Sequence, residues 1–168
     1  MAKFQFPDAP PPPPGFVWVC PPQDIDDEAR CAAYRRAILG HWEALSREDL
    51  LSRFWHTPTP TLLSRRAELL DFSIVAVSGL APVEQPDLFV AMGEVGPDMN
   101  VGHRAEMAFS VLPAWRGKGL AAHVLRRLLW VATRREYQVA RAACLPDNLP
   151  CKHLCESLGV SHEFIDDI

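Results

Sequence analysis

The stretch of this chain whose residue types could do chemistry is Glu106-Met-Ala-Phe-Ser-Val-Leu-Pro113-Ala-Trp-Arg116-Gly117-Lys118-Gly119-Leu120-Ala121-Ala122. It reads as a strand, a tight turn with two glycines, and the start of a long helix. Glycine permits positive φ and lets the backbone come close to a ligand. The first turn of a helix presents N–H groups with no intrahelical partner, and the helix dipole adds positive potential there. Such a turn suits an anion, a pyrophosphate above all. Arg116 and Lys118 bring two more positive charges to the same place. The spacing is neither the Gly-x-x-x-x-Gly-Lys-Ser/Thr of a P-loop nor the Gly-x-Gly-x-x-Gly of a dinucleotide fold. On local physics alone it fits an ordinary strand-to-helix turn equally well, with glycines for tightness.

Holding that turn in place takes a sheet and a helix behind it. Residues 16–20 are short, apolar and β-prone, a first strand ended by Pro21-Pro22. Residues 24–39 read as a helix with acidic residues in its first turn. Ser46 fits the cap of a second helix, and 62–70 form a third after the break at His56-Thr57-Pro58-Thr59-Pro60. Strands are predicted over 72–77, 88–94 and 104–111, with turns at 82–86 and 96–100. Residues 118–136 make the strongest helix, with Leu120, Val124, Leu125, Leu128, Leu129 and Ala132 on one broad apolar face. A strand at 138–145, a helix at 149–158 ended by Gly159, and room for one last strand at 160–168 complete the order. That order predicts a mixed α/β sheet in a single domain, 16–168. The proline run Pro10 to Pro14 cannot join a ladder or continue a helix, so 1–15 is expected to be a disordered polyproline tail.

Two motifs carry a resemblance. Arg116-x-x-Gly119-x-Ala121 matches a Gln/Arg-x-x-Gly-x-Gly/Ala acetyl-CoA signature, with Val111-x-Pro113 ahead of it. Asn148-x-x-Cys151-x-x-Leu154-Cys155-x-x-x-Gly159-Val160 is similar to Asn-x-x-Ala-x-x-Leu-Tyr-x-x-x-Gly-Phe. On these residues the chain resembles the GCN5-related N-acetyltransferase (GNAT) superfamily over 104–160. Its segment 45–54 is similar to a helix of bacterial protein-acetyltransferase domains. The resemblance implies the acyl-CoA N-acyltransferase fold, a mostly antiparallel central sheet flanked by helices, here short at the C-terminus. Members commonly have two strands after the last helix, and 160–168 has room for one. The sheet edge left open would either be covered by another subunit, a homodimer through that edge, or be left unable to shape the acceptor pocket.

The resemblance also implies an activity: acetyl transfer from acetyl-CoA, as co-substrate, to a primary amine by direct attack in a ternary complex. Backbone groups of Phe109, Ser110 and Val111 would hold the pantetheine arm. The Val111 N–H would polarise the thioester carbonyl and stabilise the oxyanion. Arg116, Gly117, Lys118, Gly119, Leu120, Ala121 and Ala122 would hold the pyrophosphate, and Asn148 would contact the pantetheine arm or a bridging water.

An ammonium ion has no lone pair, so the acceptor must lose a proton; a lysine amine, of pKa about 10.4, needs a base more than an α-amine does. Glu106 is the expected base, in an Ala-Glu-Met-Ala-Phe context similar to that of bacterial protein acetyltransferases with a glutamate base. The competing reading is a strand carboxylate in a surface ion pair with Arg104. Alternation puts Glu106, Ala108 and Ser110 on one face unless a bulge changes the parity. Cys155 stands where many members have a tyrosine that protonates the departing CoA thiolate. A thiol, of reference pKa about 8.5, could donate that proton if exposed. Cys151, Leu154, Cys155 and Leu158 also follow helical spacing, which favours a core face for both cysteines over the acid role.

Composition bounds the rest. With 168 residues, 17 basic and 21 acidic, the chain suits one domain of net charge −4 and disfavours nucleic acid or an anionic membrane as partner. No apolar run approaches a membrane span, and residues 1–7 lack a secretory core. Five cysteines form neither a disulfide ladder nor paired Cys-x-x-Cys knuckles, so a cytoplasmic protein without a metal is expected. The acceptor would be a small-molecule amine or a protein amino group. The alternative function is an acyl-CoA-binding or regulatory module with weak or no turnover; a proline-rich adaptor is a third reading.

Overall fold

The computed structural model describes residues 8–24, 26–144 and 147–164, with backbone alone at 143–144 and 161–164. Six strands form one sheet in sequence order: β1 (Phe16–Val19), β2 (Ala76–Pro82), β3 (Ala91–Pro97), β4 (Arg104–Val111), β5 (Val139–Cys144) and β6 (Ser161–Phe164). The first four run antiparallel to their neighbours; β4–β5 and β5–β6 pair in parallel. Helices α1 (Glu28–Glu43), α2 (Arg47–Phe54) and α3 (Pro60–Glu68) pack on one face. Helices α4 (Leu120–Arg134) and α5 (Leu149–Ser157) pack on the other. This is the mixed, mostly antiparallel sheet flanked by helices that the sequence predicts.

Local chemistry sets the helix starts. Asp27 caps α1, its side chain accepting from the Arg30 N–H at 3.0 Å. α2 opens on a reciprocal capping box between Ser46 and Asp49. Thr59 caps α3, and Pro60 occupies its first turn, where a missing N–H costs nothing. On the first face α1 buries Tyr34, Ile38 and Trp42 against Val77, Phe89 and Met92 of the sheet side. On the second, α4 lies directly on β3 at Gly93. A Cβ there would come within 2.6 Å of Leu128 and 2.8 Å of Val124, so the absent side chain lets the helix approach the sheet.

Three expectations change. The strand expected at 72–77 begins at Ala76, because Asp71 winds the preceding residues into a turn. Its side chain accepts from the Ser73 N–H at 2.9 Å, and its carbonyl accepts from Val75 at 2.9 Å. β2 then runs up to the expected turn, ending at Pro82, and its partner shifts to Ala91–Pro97. α1 begins four residues late because Asp24 closes a local turn onto the Asp26 N–H. The proline segment, expected to be a disordered tail, lies against the domain over residues 8–15. The Trp18 indole donates to the Pro10 carbonyl at 3.0 Å, and Val83 donates to the Gly15 carbonyl at 3.1 Å. Residues 1–7 and the end of the last expected strand, 165–168, lie outside the described residues. No helix among the described residues is long and apolar enough to cross a membrane.

Candidate active site

The site begins where two strands part. β4 and β5 pair from Arg104↔Val139 to Met107↔Ala142 and no further among the described residues, while β4 continues to Val111 against β3 alone. A cavity of about 900 Å³ opens at this parting. Phe109, Ser110 and Val111 line it from β4, and Asn148 from the start of α5. Arg116, Gly117, Gly119, Leu120 and Ala121 line it from the turn into α4. The backbone polar groups on this side of β4 thus face an opening instead of a neighbouring strand.

The turn has the geometry its glycines suggest. Gly117 and Gly119 both take φ of 75°, where a Cβ would be strained. Gly119 is the N-cap of α4 and supplies no side-chain cap, so the first-turn N–H groups stay available to an anion. Arg116 donates through Nε to the Val111 carbonyl at 3.2 Å and pairs through Nη2 with Asp49 of α2. Burial works against the charged form of Asp49, but hydrogen bonds from Ser46 and Arg116 outweigh it and hold the carboxyl below its usual range. Lys118 and Ala122 do not line the cavity; the Lys118 ammonium lies 4.7 Å from the centre of the Trp115 ring instead.

Glu106 lies on the cavity wall and is exposed. β3 and β4 pair residue for residue from Ala91↔Val111 to Pro97↔Ala105, so no bulge intervenes. Glu106, Ala108 and Ser110 therefore share a face, the one covered by α1 to α3. Arg104 pairs with Asp98 in the β3–β4 turn, so Glu106 is not engaged by the arginine expected to compete for it. Cys155, by contrast, is fully buried among the residues under α4 and does not line the cavity. A thiol closed off from the cavity cannot reach a departing thiolate there, so the core reading of Cys155 replaces the acid reading.

Several features at and behind the wall escape sequence reasoning. His41, 2% exposed on the buried stripe of α1, has Nδ1 2.7 Å from the Phe89 carbonyl and Nε2 2.8 Å from the Ser110 hydroxyl. A carbonyl only accepts, so Nδ1 carries the proton and Nε2 accepts from Ser110. Burial holds His41 neutral, with its pKa pushed down from 6.5 to about 4. Arg53 of α2 pairs with Glu94 of β3, both nine-tenths buried. The Asn148 amide caps α5 through Oδ1, accepting from Cys151 at 3.2 Å, and donates to Ser52 of α2 at 3.1 Å. Asp49, Ser52 and Arg53 thus tie one face of α2 to three parts of the cavity wall. The only sequence sign of this is their i, i+3, i+4 spacing, which many surface helices share.

The comparisons agree with this geometry. The model of the Acetyltransferase (GNAT) family matches residues 38–160. Comparison with curated proteins gives no match. In structure the chain is similar to the GNAT domain of S. lividans PAT, with a TM-score of 0.67 and 21% identity over 89% of this chain and 84% of that one. It is also similar to yncA from Salmonella typhimurium with its cofactor acetyl-CoA, at TM-score 0.61 and 20% identity over 86% and 79%. A ribosomal-protein-alanine N-acetyltransferase from Brucella melitensis gives TM-score 0.60 and 20% identity over 76% and 78%. These structural likenesses concern the fold. The family match runs from α1 to Val160 and takes in the parted strands, the glycine turn and the Asn148 segment: the chain belongs to the GNAT acetyltransferase family.

Proposed function

We propose that the chain transfers the acetyl group of acetyl-CoA to a primary amine by direct attack within a ternary complex, with Glu106 as general base. The observation that carries this reading is the opening between β4 and β5, with an exposed carboxylate on its wall and an uncapped helix start at its mouth. In this reading the pyrophosphate sits on the first turn of α4, next to Gly117 and Gly119. The pantetheine arm pairs with the β4 backbone groups that β5 leaves open. His41 fixes the Ser110 hydroxyl as a donor toward itself, which leaves that oxygen free to accept from the pantetheine arm.

Glu106 takes one proton from the acceptor ammonium, and the freed lone pair attacks the thioester carbonyl. The oxyanion that forms is held by the Val111 N–H. Collapse breaks the C–S bond and expels the CoA thiolate, and the second nitrogen proton neutralises that thiolate directly or through water. The amide, CoA and one proton held by Glu106 account for all atoms. No protein acid is needed, because a thiolate is a stable leaving group near its own pKa.

A cytoplasmic location accords with cysteines that form no disulfide pattern. A homodimer paired through the outer side of β6 follows from that strand's place at the end of the sheet. Sedimentation velocity at rising concentration should show it, and a monomer throughout would remove it. The function itself is tested by CoA release with acetyl-CoA and a panel of amines. Glu106→Gln is expected to lower the rate by about 10²- to 10⁴-fold. An unchanged rate in that variant removes Glu106 as the base. Acetyl-CoA binding with no turnover for any amine replaces the enzyme with an acyl-CoA-binding module.

A further inference from the structure

The part of the cavity beside Glu106 is not acidic. Glu94 stands opposite Ala108 in the β3–β4 ladder, which makes it the diagonal neighbour of Glu106 on the same face, at roughly 7–8 Å. Its carboxylate pairs with Arg53. Arg66 of α3 reaches the same wall, and its electrostatic neighbours are Glu94 and Arg53, not Glu106. One carboxylate therefore faces two guanidiniums. Of the other wall arginines, Arg116 pairs with Asp49, and Arg141 lies beside Glu106 in the β4–β5 register. Arg66 makes no ion pair or hydrogen bond among the described residues. It is nevertheless held in place, with its guanidinium 5.1 Å from the centre of the Phe54 ring and 5.9 Å from that of Trp42. Burial lowers its pKa from the ordinary arginine value, and Arg53 adds to this against the pull of Glu94. The guanidinium is exposed to the cavity, rests against two rings and shares its nearest carboxylate with Arg53, so it can take an anion from a ligand.

We propose that Arg66 binds a carboxylate of the acceptor, so that the amine substrate carries an anionic group several bonds from its reacting nitrogen. The inference rests on the acetyl-transfer reading, with the amine at Glu106. The diagonal between Glu106 and Glu94 separates the two ends of such an acceptor, which is more than an α-amino acid spans between its own amine and carboxylate. A di- or polyamine would bring a second cation to a wall that already has one in excess, so the overall acidity of the chain gives the wrong sign for this site. The required chemistry, an amine and a distant carboxylate, comes from two sources: a free ω-amino acid, or a lysine with an acidic side chain nearby in a peptide.

The test compares acceptors that share the reacting amine. Wild-type protein with saturating acetyl-CoA is given ε-aminohexanoate, hexylamine and cadaverine, and a lysine peptide with a neighbouring glutamate against its glutamine counterpart. The carboxylate-bearing member is expected to have kcat/KM about tenfold higher in the free-acid set, the peptide set, or both, and the set that shows it identifies the source. Arg66→Gln should abolish that preference through KM, Arg66→Lys should keep part of it, and Arg66→Glu should turn it toward cadaverine. Equal or better kcat/KM for hexylamine together with the glutamine peptide overturns the proposal, as does a preference that survives Arg66→Gln at full size. If no amine is acetylated, the acetyltransferase reading fails by itself. The Arg66 site is then decided by calorimetric titration of hexanoate into the protein with CoA present. Binding lost in Arg66→Gln supports it; no binding, or equal binding to both proteins, overturns it.

Discussion

Enclosed between a backbone carbonyl and a serine hydroxyl, His41 has no room for a second proton. Its folded pKa of about 4 lies below the unfolded value of 6.5, so the unfolded chain binds the proton more readily. The contribution to stability is complete above pH 6.5 and is lost as pH falls toward 4, by about 3 kcal/mol in all. Urea denaturation between pH 7 and pH 4 should show this loss, and His41→Gln should flatten it. A slope unchanged in the variant would assign the acid sensitivity elsewhere. Cys155 gives a second residue-scale test. As a core side chain its replacement by alanine should cost about 1–2 kcal/mol in urea denaturation and leave kcat intact. A fall in kcat at constant stability would restore it as the acid.

At the scale of elements, α2 is the part that closes the site. Its carboxylate at Asp49 occupies the arginine of the glycine turn, and its hydroxyl at Ser52 occupies the amide of Asn148. Both partners belong to the groups proposed to hold acetyl-CoA. The phosphates of acetyl-CoA therefore compete with Asp49 for Arg116, and the carboxylate repels them. Asp49→Asn should tighten CoA binding by about three- to tenfold at low salt, with the gain shrinking as salt rises. Titration calorimetry at two ionic strengths reads both effects. Weaker binding in the variant would mean that Asp49 steadies Arg116 for the ligand instead of competing for it. The same substitution replaces the charged acceptor of the capping box with a neutral amide oxygen in the first turn, so α2 itself should lose about 0.5–1 kcal/mol.

At the scale of the molecule, the proline segment and the charge distribution both depart from what composition suggests. A disordered tail could be removed at no cost. Here deletion of residues 1–12 takes away the acceptor of the Trp18 indole, so stability should fall by about 1 kcal/mol. Thermal denaturation of the shortened chain decides between the two, and an unchanged midpoint would make the segment a passenger. The net charge of −4 likewise belongs to the surface as a whole. The wall beside Glu106 has its own balance, set by which helix brings Arg53 and Arg66 to Glu94.

What the sequence determined by itself is what depends on neighbours along the chain. β4, the glycine turn and α4 follow from a strand pattern, two glycines and an apolar helical stripe within thirty-one residues, 104–134. The Asn148 cap and the end of α5 near Gly159 are local in the same way. The start of β2 departs from its propensity because a side-chain turn at Asp71 competes with a β-prone run, and propensity alone does not weigh the two. Only the tertiary structure decided the environment of Cys155, the pairing of Arg53 with Glu94, the hydrogen bonds of His41 to Phe89 and Ser110, and the exposed cation at Arg66. Each joins residues dozens of positions apart, and helical or strand spacing says which face a side chain is on but not what that face meets. The carboxylate proposed as the base is legible because its strand has local signals. The residues proposed to select the acceptor are not, because they converge from α2, α3 and β3 only when the chain folds.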